Sequence, residues 1–515
     1  MTEPLQRRAI ADGVWFSCIH DPKFYHNSIS VTLITPLTEG KNSAAVLAAY
    51  LLRMGSRRCR DMTELECRLA DLYGAVLDTD VSRHGENQLL TFSITGADDR
   101  FALEGESISR GCAELLGEIL LEPRVENGAF PEEAFRLEQQ YLVDTIEAEI
   151  NDKRSYAAQR CTAEMGRGYR FALPRYGTVQ EALSVTPHSA YERYRELLRT
   201  ARIEIFFSGC GSPAYAEETF RNLFAGVERA PLSSALQPLP LREEQPTEWC
   251  EQMPMRQSKL VLGFRTGLPQ GRRARTAARV MTALLGGSTG SRLFTNVREK
   301  LGCCYYCGAR INLLTGILMI ECGLEEANRE KLQKAILAEI VDLAAGNISP
   351  QELSHIKLAF QSSLASIGDS LARTEGWYLS GLLQGDAITP EQDREEIASI
   401  TAKEVAAAAA ALTLDTVFFL QATGKGDGCD EEGLTAYLRT AGPKHPHRHT
   451  AQRPYGADVP DARLCYRLCH ADGRGGFHRY RLPDAGAGST PPGRCSTLSG
   501  TQDVRLPLWR RHAAL

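Results

Sequence analysis

Three closely spaced cysteines are the first group whose residue types and spacing could do chemistry. Cys303, Cys304 and Cys307 lie in the run C-C-Y-Y-C, and the last two form a C-x-x-C pair. A redox C-x-x-C opens a helix, where the helix dipole lowers the thiol pKa. This run is rich in aromatic residues and predicts a strand, in which positions three apart point to opposite faces. We therefore expect ordinary strand residues rather than a redox pair or a zinc site.

The composition bounds the class of protein. The chain has 515 residues, 43% hydrophobic and 24% charged, with a net charge of −5. The length exceeds one ordinary core, so two or more domains are expected. The near balance of charge gives no argument for nucleic acid or a membrane surface as a partner. No apolar run reaches the roughly 18 residues of a membrane span, and the N-terminus lacks the apolar segment of a signal peptide. We therefore expect a cytoplasmic protein with reduced thiols.

Strand-like and helical patterns alternate through the first 230 residues. Strands are predicted at Val14–His20 and Ile29–Thr35, before a helix from about Ser43 to Met54 that Gly55 ends. The remaining predictions are a helix over Thr63–Gly74, strands at Val76–Ser82 and Gln88–Ile94, long helices over Glu104–Leu121 and Pro131–Met165, a helix at His188–Thr200 and a strand at Ile203–Gly209.

A Pro- and Glu-rich segment, Pro231–Glu248, is the clearest domain boundary. After it the order of elements partly repeats, which indicates internal duplication. The predictions there are a strand at Lys259–Arg265, helices at Arg275–Leu285 and Ser291–Leu301, strands at Cys303–Asn312 and Gly316–Gly323, helices from Glu326 to about Leu412 and a strand at Asp415–Gln421. The domains are thus an N-terminal one at 1–230, a linker at 231–250, a C-terminal one at 251–425 and a tail at 426–515.

The order of elements and two motifs resemble the pitrilysin/insulinase family of zinc metallopeptidases, the H-x-x-E-H inverzincins. The more specific motif is S-R-L-F-T-N-V-R-E-K-L-G-C-C-Y-Y, and M-G-S-R-R with L-A-D-L-Y-G-A supports it in the first half. The resemblance covers about residues 10–425. It implies an α+β fold of two homologous insulinase-like halves, each an antiparallel sheet packed with long helices. It also implies that the inner faces of those sheets are exposed for a second chain to cover.

The sequence departs from that family at the metal site. Zinc binding there needs two histidines one helical turn apart, with a glutamate beside them as general base. Counting back from Gly55, those places fall on Val46, Ala49 and Tyr50. The place of a further glutamate ligand falls near Thr145, with Glu147 and Glu149 close by. No histidine lies between His26 and His84. The resemblance therefore implies a homologue with no metal, no cofactor and no catalytic residue.

The family's arginine and tyrosine, seven residues apart, fall on Arg298 and Tyr305. In active members this pair helps to hold bound peptide near the zinc, so the resemblance makes both residues substrate-binding candidates. The alternative is structural, with an arginine at a helix end and a packed strand tyrosine.

The resemblance also suggests partners. Zinc-free and active chains pair in this family, and the bacterial branch that this sequence most resembles is encoded next to an active homologue. That branch is associated with elongation factor P 5-aminopentanol modification. The expected partners are therefore an active insulinase-like zinc peptidase and a peptide or unfolded polypeptide, with no nucleic acid and no membrane.

The tail at 426–515 has neither helical nor strand periodicity. It is interpreted as disordered, as a metal-binding segment or as out-of-frame translation. The third interpretation rests on back-translation. Shifting Lys444–Cys465 and Thr497–Arg505 by one nucleotide permits strings that resemble the opening strand and the zinc motif of an insulinase-type domain. The metal-binding interpretation would use His445, His447, His449, Cys465 and Cys469.

Three functions remain open at this point. The favoured one is a non-catalytic insulinase-like subunit that pairs with an active homologue and helps to position peptide. The second is an autonomous metallopeptidase with an unrecognised site, for instance at His20, His26 or His84. The third is a pure scaffold protein.

Overall fold

The computed structural model describes residues 5–232, 239–240, 245–267 and 271–424. The proposed linker at 231–250 is only partly within this set, and the tail at 426–515 lies outside it. Both halves of the chain belong to one compact unit, Met1–Cys465.

The first half is built on a six-stranded sheet in the order β1-β2-β6-β3-β5-β4. Strands β2 and β6 are parallel, and the other neighbours are antiparallel. The strands are β1 (Gln6–Ala11), β2 (Val14–His20), β3 (His26–Pro36), β4 (Val76–His84), β5 (Asn87–Ala97) and β6 (Arg202–Gly209).

The second half is built on a five-stranded sheet in the order β7-β11-β8-β10-β9. Its one parallel pair is β7 with β11, and the other pairs are antiparallel. The strands are β7 (Thr247–Met253), β8 (Ser258–Arg265), β9 (Tyr306–Asn312), β10 (Ile317–Leu324) and β11 (Thr413–Ala422). Strands β2, β6, β3, β5 and β4 match β7, β11, β8, β10 and β9 in both order and direction.

The helices repeat in the same way. Two follow β3 and two follow β8, while five lie between β5 and β6 and five between β10 and β11. In the first half they are α1 (Asn42–Leu52), α2 (Met62–Asp71), α3 (Ile108–Leu121), α4 (Glu132–Ala148), α5 (Lys153–Met165), α6 (Val179–Ser184) and α7 (Pro187–Thr200), followed after β6 by α8 (Ala214–Ala225). In the second half they are α9 (Arg272–Gly286), a π-helix (Leu293–Lys300), α10 (Arg329–Ala344), α11 (Pro350–Ala365), α12 (Leu371–Leu383), α13 (Pro390–Ser399) and α14 (Ala402–Ala410). The expected α+β architecture of two matched halves is confirmed.

Several predicted elements differ from the structure. The long helix predicted over Pro131–Met165 is broken into α4 and α5, with a short 3₁₀ turn between them. Asp152 makes the break, because its carboxylate accepts hydrogen bonds from the backbone N–H groups of Arg154 and Ser155 and so begins a new helix. The strand predicted to begin at Cys303 begins at Tyr306.

The break at Asp152 lets α5 leave its own half. It packs on β8 and β11 of the second sheet, where Cys161 and Met165 join the core. The approach is close, since a Cβ at Gly263 of β8 would collide with the Met165 sulfur. The second half likewise contributes a helix to the first: Tyr378 and Leu383 of α12 pack on the first sheet.

This exchange of helices overturns one expectation. The inner faces of the two sheets were expected to be exposed, whereas α5 and α12 cover their central strands; the edge strands β4 and β9 keep exposed residues such as Val76 and Arg310. Strand β3 has a run of seven buried residues, and all eight residues of β10 are buried. Consecutive strand residues point to opposite faces, so such runs are covered on both sides. An open sheet face therefore gives no argument for a second chain. In the part of the chain that the structure describes, no helix has the length and apolar character to cross a membrane.

Candidate functional site

Helix α1 occupies the place where the family carries its metal ligands. After Asn42 and Ser43 it is built from alanine, leucine, valine and one tyrosine, and all of its eleven residues are buried. It packs against α4 and α7. Val46 is 0% and Ala49 is 1% exposed, and both belong to the core of the first half. These two positions offer neither a ligand atom nor space for one.

Tyr50, at the place of the second histidine ligand, is part of a packed group that also contains Arg53, Glu138 and Tyr141. Its ring lies 5.5 Å from the Tyr141 ring on α4. The guanidinium of Arg53 lies 4.9 Å from the Tyr50 ring centroid and donates to the buried Glu138 carboxylate at 3.2 Å. Burial raises the pKa of Tyr50, so this side chain stays a neutral phenol. The group closes the α1–α4 contact with an ion pair and two rings instead of a metal.

The place of the further glutamate ligand, near Thr145, also differs from the expected site. The Thr145 hydroxyl donates to the Tyr141 carbonyl oxygen, one turn back in the same helix, at 2.7 Å. Glu149 lies in the 3₁₀ turn after α4 and contacts Arg175 at 3.5 Å. Burial raises the pKa of Glu149, and the charge of Arg175 opposes that rise. The carboxylate near the distal position is thus held by an arginine.

The three histidines of the alternative metallopeptidase hypothesis do not meet. His26 begins β3, while His84 pairs with Asn87, which in turn pairs with Pro36 at the other end of β3. Ten residues of strand separate the two ends, about 33 Å. His20 ends β2 on the His26 side of the sheet. Across the described ranges, no cluster of three or more His, Cys, Asp or Glu residues is arranged to hold a metal ion.

The cysteine run packs in the core of the second half. Cys307 on β9 faces Cys322 on β10, with their sulfur atoms 3.1 Å apart. Cys304 lies before the strand, which begins at Tyr306, so the expected strand alternation does not apply to this pair. Interaction with the Cys307 thiol and burial raise the pKa of Cys304. The pKa of Cys307 is also raised, because its bond to Cys322 and its burial outweigh the lowering by Cys304. Such thiols are poor nucleophiles, as a structural role requires.

Arg298 lies in the last turn of the π-helix. The irregular winding shows in the bond from the Leu301 N–H to the carbonyl oxygen of Asn296, five residues back. Extended π-helical winding is rare and is found often at functional sites. The Arg298 guanidinium lies 4.5 Å from the Phe294 ring centroid and 3.5 Å from the Glu299 carboxylate, and its side chain is 38% exposed. The exposed part of the guanidinium can therefore meet a ligand.

Tyr305 lies just before β9 and is 48% exposed. Its N–H donates to the Gly323 carbonyl oxygen at 2.7 Å, which fixes the backbone. Its hydroxyl donates to Glu325 at 2.9 Å, and this bond raises the pKa of the phenol. The residue is not the packed strand tyrosine of the structural alternative. It presents a protonated hydroxyl at the surface.

The π-helix and Tyr305 contact the second half. The π-helix packs on β9, α10 and α9, and Tyr305 bonds to residues that end β10 and follow it. The metal-position residues lie in the core of the first half. The structure thus places the two parts of the expected site in different halves. The sequence analysis missed the group of Arg53, Glu138 and Tyr141, which the spacing of three residues along α1 and again along α4 could have indicated.

Comparison with known families and structures agrees with this geometry. Residues 184–360 match the family model described as the Peptidase M16 inactive domain. This span contains Arg298 and Tyr305, but it excludes α1 and α4. The chain is 25% identical over 412 residues to the probable inactive metalloprotease YmfF of Bacillus subtilis (strain 168), a match that covers 80% of this chain and 96% of that protein.

Two crystal structures share the fold. One is a conserved protein from Enterococcus faecalis V583, with a TM-score of 0.76, 25% identity, and coverage of 82% of this chain and all of that one. The other is a peptidase M16 inactive domain from Pseudomonas fluorescens, with a TM-score of 0.64, 15% identity, and coverage of 82% and 99%. The family description and the name of the Bacillus relative agree with the expectation that this chain is not a working peptidase. The comparisons thus match residues 184–360 to the inactive domain of the M16 peptidase family, and they make the chain similar, over four-fifths of its length, to a probable inactive metalloprotease.

Proposed function

We propose that this chain is a non-catalytic subunit that pairs with an active M16-like zinc peptidase and holds the peptide substrate. One observation carries the proposal. Arg298 and Tyr305 are exposed on an irregular segment of the second half, while the helix at the metal position is sealed inside the first. A chain that offers substrate contacts but no metal needs its chemistry from another chain.

The two side chains suit a bound peptide backbone. Arg298 carries a planar fork of N–H donors that can donate to peptide carbonyl oxygens. Its pairing with Glu299 at 3.5 Å is long and solvent-exposed, so a ligand displaces it at little cost. Tyr305 adds a hydroxyl that can turn from Glu325 to the ligand. Neither side chain can polarise or attack the scissile bond without a metal or a base.

The proposed partner is an active homologue encoded nearby, and the proposed location is the cytoplasm. The proposed substrate class is a peptide or an unfolded polypeptide, because an extended chain leaves its backbone carbonyl oxygens open to donors such as Arg298. The scaffold alternative differs in one respect: it predicts assembly without any contact between Arg298 and substrate.

The test is co-expression with the adjacent open reading frame, followed by peptidase assays of each chain alone and of both together. We expect peptide hydrolysis only when the partner is present. The change Arg298→Ala should lower kcat/KM of the pair by about tenfold, the effect of losing roughly 1.4 kcal/mol of substrate binding. Assembly, measured by size-exclusion chromatography, should not change.

Lys300→Ala is the matched control. Lys300 is an exposed cation in the same π-helix, and its ammonium donates to Asn296. The pair that contains the Lys300→Ala variant should turn over peptide at the wild-type rate. If Arg298→Ala and Lys300→Ala both assemble and both keep full activity, the proposal fails and the scaffold function gains. If the isolated chain binds one chelator-removable zinc and cleaves peptide, the autonomous peptidase replaces both.

The resemblance to a branch associated with elongation factor P 5-aminopentanol modification supports a finer proposal. We assign that role to the assembled pair rather than to any residue of this chain. Deleting this gene should then lower the modified fraction of elongation factor P, measured as a mass shift of the intact protein. An unchanged fraction would remove the link and leave the peptide-holding proposal in place.

A further inference from the structure

A cavity of about 820 Å³ lies between the two halves. The first half contributes the β4–β5 turn with Arg83 and His84, together with one side of α5. The second half contributes the first turns of α9, the β9–β10 hairpin and part of α12. The volume is that of a small-molecule site, and sites between two packed halves are common. This cavity is separate from Arg298 and Tyr305, which are not among its wall residues.

The wall is strongly cationic. Two aspartates, Asp386 and Asp393, face five guanidinium groups, which leaves a surplus of three positive charges among the wall residues. Burial lowers the pKa of His84, so this ring is neutral and adds no charge. The five guanidinium groups belong to Arg83, Arg272, Arg275, Arg279 and Arg310.

Some of these arginines are already neutralised. Arg279 is held by Asp393 through two bonds of 2.7 and 2.9 Å. Glu396 and Glu321, which are not wall residues, pair with Arg272 and Arg310 and reduce the surplus, although Glu321 is shared with Arg154 of α5. The remaining contacts are weak, because Asp386 is shared at 3.7 Å from Arg272 and 3.4 Å from Arg275.

Arg83 carries the unbalanced charge. Its guanidinium donates to two backbone carbonyl oxygens, those of Phe171 at 2.8 Å and Leu173 at 3.3 Å. It makes no salt bridge with any residue that the structure describes. Burial lowers the pKa of Arg83, and the charge of Arg175 lowers it further, although Glu149 opposes both. A negatively charged ligand would relieve this repulsion.

The start of α9 also carries positive charge that a negatively charged ligand would balance. Its first turn contains Arg272 and Arg275 at the cavity, and no acidic residue. Positive side chains are unfavourable at a helix N-terminus, where the dipole already presents positive charge. The same arrangement is favourable once an anion binds, since the backbone N–H groups at the helix start and the arginines then act together. A helix that carries charges against its own dipole is a sign of a binding function.

Thr315 provides an independent observation. It lies in the wall at the end of the β9–β10 turn and is only 2% exposed. Its hydroxyl has no hydrogen-bond partner among the described residues. A buried hydroxyl normally has a partner, and a ligand oxygen would supply one.

We propose that this cavity binds a small molecule with two or more phosphate or carboxylate groups, which Arg83, Arg275 and the first turn of α9 hold between the halves. The site goes beyond the proposed peptide-holding role and needs no partner chain. Binding would connect the two halves, because Arg83 belongs to one and Arg275 to the other.

The test is isothermal titration calorimetry on the full chain with inorganic triphosphate and with citrate as probes. We expect saturable binding of one probe molecule per chain, together with a higher melting temperature. Stronger binding of triphosphate would assign the site to phosphate groups, and stronger binding of citrate to carboxylates. Arg83→Gln and Arg275→Gln should each weaken binding by at least about tenfold, the usual effect of losing a charge-assisted hydrogen bond.

Arg273→Gln is the control for charge alone. Arg273 lies in the same first turn of α9, but it pairs with Glu404 and is not a wall residue. The Arg273→Gln variant should bind triphosphate and citrate with the wild-type affinity. The proposal is overturned if neither probe binds, or if the Arg273 variant loses as much affinity as the Arg275 variant. Should Arg83→Gln fail to fold, the comparison of the two α9 variants still decides the matter.

Discussion

Helices α1 and α9 occupy the same place in two matched halves, directly after the strands β3 and β8, yet their surroundings are opposite. Every residue of α1 is buried, and the helix carries no charge. Helix α9 begins with three arginines in its first four residues, and two of them line a cavity. The fold therefore does not require an open site at this place. The first half has filled it with alanine, valine and tyrosine, and the second keeps it open and cationic.

The exchanged helices differ in a similar way. Helix α5 contacts the second sheet through charge pairs, with Arg154 donating to Glu321 and Arg160 to Glu251. Helix α12 contacts the first sheet through a carboxyl, that of Glu375, to which the buried Ser30 hydroxyl donates at 2.5 Å. The charges at the α5 contact are thus neutralised by ion pairs, whereas the α12 contact contains a carboxyl group paired with a hydroxyl. The two halves share a topology but hold each other by different chemistry.

The largest effect is expected from placing the family's general base back into α1. Ala49→Glu would put a carboxylate into a site that is 1% exposed, and the nearest arginine along the helix, Arg53, is already paired with Glu138. An unpaired buried charge costs about 4 kcal/mol of unfolding free energy, measured by urea denaturation. The matched change in the second half is Ala407→Glu on the exposed side of α14, which should change stability by less than about 0.5 kcal/mol.

The triple change Val46→His, Ala49→Glu and Tyr50→His should not restore zinc binding. Thr145 still provides no carboxylate ligand, and the new polar groups would destabilise the core before a metal could compensate. Elemental analysis of the purified variant checks this. One zinc per chain in a folded variant would show that the first half had lost only its ligands and not its site.

The second prediction concerns the α12 crossing. Burial raises the pKa of Glu375 to about 7, and the Ser30 bond opposes that rise. An acid whose pKa is higher in the folded state stabilises the fold most below its unfolded pKa, about 4.3, and loses that contribution as the pH rises towards 7. Glu375→Gln should remove this slope and raise the unfolding free energy at pH 8 by roughly 2 kcal/mol. Parallel pH profiles of wild type and variant would contradict it.

The third prediction tests the packed group that replaces the metal. Arg53→Ala should cost roughly 2 kcal/mol at pH 7, less than a fully buried pair because the Arg53 side chain is 34% exposed. The pKa of Glu138 is already raised by burial, with Arg53 opposing that rise, so the variant should regain stability as the pH falls. Adding Glu138→Gln should recover most of the loss. If the double variant is as unstable as Arg53→Ala, the ion pair does not hold α1 to α4.

Local patterns in the sequence predicted much of the fold. Helix α1, the hairpin of β4 and β5 and the repeat after the linker all follow from apolar periodicity and turn residues, although α1 ends at Leu52, before the predicted stop at Gly55. The break at Asp152 does not, because the surrounding residues suit a helix and only the contact of α5 with β8 requires the turn. Strand β1 was not predicted from the sequence, because Q-R-R-A-I-A is polar and lies at a sheet edge.

The candidate site was predictable only where a motif carried it. Arg298 and Tyr305 stand in a recognisable run, and counting from Gly55 located the filled metal positions. The cavity could not be found in this way, because Arg83 and Arg275 are almost two hundred residues apart and meet only when the halves pack. The partners of Tyr50 depend likewise on the approach of α4 to α1.

The smallest expected effect compares two buried positions, one in each half. Thr315 buries a hydroxyl without a partner among the described residues, whereas Val46 is buried in an apolar core that has no such group. Thr315→Val should therefore raise the unfolding free energy by about 1 kcal/mol, since it removes an unsatisfied polar group at nearly constant volume. Val46→Thr should lower it by about the same amount, because it creates one. Paired urea titrations of the two variants measure both signs. The cavity proposal adds a condition: in saturating probe, Thr315→Val should lose its advantage, because a ligand that also accepts or donates a hydrogen bond at the hydroxyl stabilises the wild type more than the variant. If Thr315→Val stays more stable than the wild type at every probe concentration, the hydroxyl does not contact the ligand.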